Sequence, residues 1–168
     1  MPHAKFSQQN IIIYSTVIVA DNYNAGMSMD SINMALYDHC ALILVGDTAA
    51  AGAGIVTLAA GATNAAETAN ITFSYRYTLT DVLSVTSDVL SAPVAAATCT
   101  LTEAYIKDGM YVFEWDAQDM LVAGVSYQWL TPVLSAAGTA GIITAIAIGS
   151  EFRYAKSVMP SAILDPTA

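Results

Sequence analysis

Charge is scarce in this chain. Only 11% of its 168 residues are Asp, Glu, Lys or Arg, against about a quarter in an ordinary globular domain. A chain with so few charges hides surface in its own core or against other chains. Positive charge is the scarcest kind: five bases stand against fourteen acids, a formal net charge of −9. The bases Lys5, Arg76, Lys107, Arg153 and Lys156 are scattered. Nucleic acid binding requires clustered Lys and Arg to neutralise phosphates, so no nucleic acid partner is expected.

Cysteine and histidine are nearly missing too. Cys40 and Cys99 make no disulfide framework. They read as two buried thiols, with a single bridge as the alternative. Of the two histidines, His3 sits in a polar start. His39 adjoins Cys40, but neighbours on a strand point to opposite faces, so the two make no base–nucleophile dyad. The set has no recognised zinc spacing. No catalytic residue, cofactor or metal is expected, and the chain is not expected to be an enzyme.

Long apolar runs of the targeting or spanning kind are also missing. Ile11–Ala20 is apolar, but polar Ser7–Asn10 precede it, Tyr14–Thr16 interrupt it, and no small-x-small pattern follows. Residues 120–150 carry no charge. Gln128, Pro132, Gly138 and Gly141 break that stretch, and its apolar positions split into two period-2 runs. A hairpin explains it better than a spanning helix, so no membrane is expected.

What is present is alternation. In Asn70–Thr78, NITFSYRYT, residues Ile71, Phe73, Tyr75 and Tyr77 share one side of an extended chain. This predicts a half-buried strand with an aromatic inner face. Met110–Asp116 repeats the pattern with Tyr111, Phe113 and Trp115, after a turn signal at Asp108-Gly109. Further strands are predicted at Ile11–Ala20, Met27–Asn33, His39–Gly46, Ile55–Ala60, Thr98–Ala104, Val125–Val133 and from Gly141 to Tyr154. Asn33–Asp38 reads as one helical turn. Pro132 is expected to end its ladder or lie on an edge. About eight short strands with Gly- and Ala-rich loops define an all-β fold, an antiparallel β-sandwich or jelly roll with extended N- and C-terminal arms. The expected divisions are an arm or first strand over 1–26, the sandwich over 27–156 and an extended tail over 157–168.

Three constellations invite a chemical reading. Asp116 and Asp119 in DAQD read as a turn or helix cap, because the alternating oxygens of a calcium loop are missing. DTAAAGAG at 47–54 lacks the Gly-Lys-Ser/Thr ending of a phosphate loop. Tyr75, Tyr77, Tyr111, Trp115, Tyr127 and Trp129 read as core, with a sugar platform as the alternative.

The order of segments YDHCALILVGDTAAAGAG, ETANITFSYRYT, GMYVFEWDAQDM and GTAGIITAIAIGSEFRYAKSVMP resembles small head proteins of tailed bacteriophages, of the capsid decoration or cement type. The likeness covers most of residues 28–160 and rests on alternation and loop composition. It implies a virion protein on the outer capsid surface, binding the major capsid protein at subunit junctions and itself, as a homotrimer ahead of a dimer. Partner contacts are expected at the arms, through Ile11, Ile12, Ile13 and Tyr14 and through Val158, Met159, Pro160 and Ile163. A head–tail connector or tail component and a carbohydrate-binding module are the alternatives.

Overall fold

The computed structural model describes residue 6, residues 10–14, 22–47, 50, 52–79, 89–152 and 163–164. In chain order the strands are β1 (Ile11–Tyr14), β2 (Met27–Ser28), β3 (Ser31–Asn33), β4 (Tyr37–Gly46), β5 (Ile55–Gly61), β6 (Ala69–Asn70), β7 (Phe73–Tyr77) and β8 (Val94–Ala96). Then come β9 (Cys99–Thr100), β10 (Met110–Asp116), β11 (Leu121–Val122), β12 (Val125–Ser126), β13 (Trp129–Leu134), β14 (Ile143–Phe152) and β15 (Ile163–Leu164). The helical elements bounded by described residues are single turns at Asn22–Ala25 (α1), Glu103–Ile106 (α2) and Ala117–Met120 (3-10).

The strands build two large antiparallel sheets and a separate β11–β12 hairpin. Sheet A has the order β1-β14-β4-β10-β7-β8, and sheet B runs β15-β3-β13-β5-β6 with β2 on β13 and β9 on β5. Alternation decides which side faces the core. On β4, Cys40, Leu42 and Leu44 are fully buried while Ala41 and Ile43 are half-buried on the other side. On β10, Tyr111, Phe113 and Trp115 point inward with them. Sheet B answers with Val56, Leu58, Ala60, Ile32, Leu130 and Leu134, and residues of both sheets join one apolar core. Each large side chain buried there contributes about 1.5–3 kcal/mol, and a one-residue slip would turn a whole strand's set outward. The fold is therefore an antiparallel β-sandwich.

The structure corrects several expectations. Asn70–Thr78 is not one strand: β6 pairs with β5 in sheet B, the chain crosses at Ile71–Thr72, and β7 joins sheet A. Ile71 is buried at the crossing, so the alternation runs on although the ladder does not. Residues 120–150 are not one hairpin, because β13 and β14 lie in different sheets. Pro132 is not on an edge: β13 has β5 on one side and β2 with β3 on the other. The missing N–H is tolerated because the second side breaks between β2 and β3, where the Met29 N–H donates to the Pro132 carbonyl at 2.8 Å. Asn33–Asp38 is a turn running into β4, not a helical turn. Thr98–Ala104 is strand only at β9, then passes into α2.

The two outer faces of the sandwich differ. Sheet B is roofed by the loop after β5. There the Ala65 N–H donates to Ser31 Oγ at 3.0 Å, and Ser31 Oγ and Thr131 Oγ1 lie 2.6 Å apart, both buried. Ser28 on β2 donates to Glu67 at 2.8 Å. Sheet A has no comparable roof among the described residues.

Candidate interaction surfaces

The outer face of sheet A follows from its register. One row across the strands is Ile12, Ile148, Ala41, Glu114 and Ser74. The next holds Ile146, Ile43, Val112 and Arg76, and a third holds Thr144, Val45 and Met110. Ile12 is 55% and Val45 44% exposed. None of these apolar side chains packs on the inner core. Within these three rows the face is thus a largely β-branched surface with one cation, Arg76, and one anion, Glu114, set diagonally on adjacent strands. From Cys40 to Val45 β4 reads as apolar throughout for this reason: half of these side chains fill the core and half form this face.

A polar corner closes the face. His39 on β4 opposes Asp116 on β10, with Nδ1 2.8 Å from the Asp116 carboxylate and Nε2 4.0 Å from that of Glu114. The Asp119 carboxylate accepts the Asp116 N–H at 2.8 Å and caps the 3-10 turn, as the sequence suggested for DAQD. With Thr72, Ser74 and Ala95 these groups line a shallow depression of about 360 Å³. Among the described residues no group of three or more His, Cys, Asp and Glu is arranged to hold a metal ion. Sequence reasoning missed the His39–Asp116 pair. Both residues follow or precede a buried neighbour and so point outward, but nothing local says that β4 lies beside β10.

The remaining sequence candidates are mostly structural. Cys40 and Cys99 are free and buried, not bridged. Burial pushes each thiol up to about 12, far from the thiolate form a nucleophile needs. Trp115 is 2% exposed, and its Nε1–H donates to Met34 Sδ at 3.3 Å, so it offers no face to a sugar. Tyr75, Tyr77, Tyr111, Phe73 and Phe113 form a ring ladder on the inner side of β7 and β10, extended by Tyr105 stacked on Tyr77 at 4.4 Å.

Of the expected partner-binding residues, Ile11–Tyr14 form β1 at the outer edge of sheet A, paired with β14 only among the described residues. Ile11 packs on the core and Ile12 faces outward. The side chains of Ile13 and Tyr14, and all of Val158, Met159 and Pro160, lie outside the described residues. Ile163 opens β15 and pairs with Ile32 in sheet B. No helix among the described residues is long and apolar enough to cross a membrane.

These features define a β-sandwich whose distinctive chemistry is on its surfaces. No family model and no curated protein matches the chain. It is similar to the crystal structure of the SPBc2 prophage-derived protein YomS, at 8% identity and a TM-score of 0.48, covering 83% of this chain and 93% of that one. At that similarity the likeness assigns no function.

Proposed function

We propose that this chain is a virion structural protein of the capsid decoration type. It binds the outside of a phage shell at junctions of the major capsid protein and works through surfaces, not through catalysis. The observation that carries the reading is β1. It is an apolar strand at the rim of sheet A, with Ile12 exposed and one side of its backbone ladder unpaired among the described residues. Such an edge adds a strand to a neighbouring chain, main-chain bonds giving affinity and alternate side chains giving selection. The acidic balance of the chain suits a shell exterior better than a DNA-facing interior. A protein that binds only the assembled shell stabilises it by linkage.

The test is to mix the purified protein with empty phage capsids and locate it by electron microscopy. The reading expects many copies at subunit junctions, and loss of most binding in Ile12→Asp. Absence of binding, or copies confined to one ring at a vertex, would overturn it.

A further inference from the structure

The outer face of sheet A has a feature that a generic sticky surface does not. Its two opposite charges lie on either side of a line running across the strands between the Ile148 row and the Ile146 row, one strand apart. We propose that this face is a two-fold interface with a second copy of the same chain.

Turn one copy about an axis along that line and lay it on the other, sheet on sheet. The Ile12–Ile148–Ala41 row then covers the Ile146–Ile43 row of the partner, and the reverse. Arg76 comes over Ser74 of the other copy, one strand spacing of about 4.8 Å aside from its Glu114. Across a sheet-to-sheet gap of about 10 Å, two long side chains meet. The operation forms the Arg76–Glu114 pair twice. Within one chain no carboxylate lies within 4.0 Å of Arg76 among the described residues, and Glu114 has only His39 at that distance.

The face also fits self-pairing in its overall charge. On a chain of net charge −9, two copies repel unless they meet through an acid-poor window, and within these three rows the β1, β14 and β4 side carries no charge, the His39–Asp116 pair lying one row beyond. Two apolar sheet faces packed on one another are what already form the core of this sandwich.

Size sets the strength. Five strands at about 4.8 Å and three rows at about 6.8 Å cover roughly 500 Å² in projection. A standard interface buries about 800 Å² per partner. The dimer is therefore concentration-dependent, and it is a different assembly from the trimer that the sequence resemblance implies.

Sedimentation velocity on the purified full chain, without capsids, tests this from micromolar to hundreds of micromolar protein. A monomer–dimer equilibrium is expected, with Ile43→Lys monomeric throughout. Arg76→Glu and Glu114→Arg each weaken association about tenfold, and the double variant regains it, circular dichroism confirming the fold of each. Monomer at every concentration, a trimer indifferent to Ile43→Lys, or a folded double variant no tighter than the singles would each overturn the interface. Because no shell is present, these outcomes leave the decoration reading to its own test.

Discussion

Asn22 acts as a strand partner for Ile143. Its Nδ2 donates to the Ile143 carbonyl and its Oδ1 accepts the Ile143 N–H, both at 2.7 Å and buried. One carboxamide thereby satisfies both backbone groups at the first residue of β14, from a turn 121 residues earlier in the chain.

Asn22→Ala leaves that N–H and C=O buried and unpaired, so a loss of about 2–4 kcal/mol is expected in urea unfolding. Asn22→Asp keeps the acceptor but sets a carboxylate against the Ile143 carbonyl. It should be destabilised at neutral pH and partly recover on acidification, once the protonated carboxyl donates. Equal stability of the Asp variant at pH 5 and pH 7 would argue against the pairing.

Gly109 precedes β10 where the chain passes close under α2. A Cβ there would lie 1.9 Å from the Tyr105 carbonyl oxygen, which is backbone and has nowhere to go. Gly109→Ala is expected to cost more than about 3 kcal/mol or to prevent soluble expression. Gly138→Ala serves as comparison, because no atom lies within 4 Å of a Cβ there and only its positive φ of 70° opposes the change.

The turn between β11 and β12 is Ala123–Gly124, with φ of 51° and 82°. Two positive φ values in a two-residue hairpin call for Asn-Gly, and alanine in that region is strained. Ala123→Asn should therefore stabilise by about 0.5–1 kcal/mol, raising Tm by about 1–4 °C in a scan. A fall in Tm would refute the assignment.

Stability should fall in alkali. Burial raises Cys40 from 9.0 to about 12, Cys99 likewise, and Tyr37 and Tyr111 from 10.0 to about 12. A pKa higher in the folded chain than in the unfolded one gives stability that is complete below the unfolded value and is lost as pH climbs through the folded one. Urea midpoints should hold steady up to about pH 8 and drop between pH 9 and about 12. Cys40→Ala should flatten that drop.

The parts of the fold that were legible in the sequence are those where burial alternates within one strand. Met110–Asp116 has the bounds predicted for it, because Tyr111, Phe113 and Trp115 all face the core. Thr144, Ile146 and Ile148 share the outer face, as their spacing indicated. The change of sheet at Ile71–Thr72 was not legible, since period 2 survives a crossing when both strands bury the same side. Neither was the place of Pro132, which depends on a break in a strand about a hundred residues away. The His39–Asp116 corner and the rows of sheet A need the knowledge that β4 lies between β10 and β14. Pairing over such separations is encoded in shape and not in local spacing.

That central position of β4 bears on synthesis. Its two neighbours in the sheet emerge about 70 and about 100 residues after it, as Phe113 opposite Leu42 and Ile146 opposite Ile43 record. Until residue 143 leaves the ribosome, a ten-residue strand that is apolar from Cys40 to Val45 has at least one bare edge. Nascent chains stalled or truncated in that window are those most prone to aggregate or to be held by chaperones.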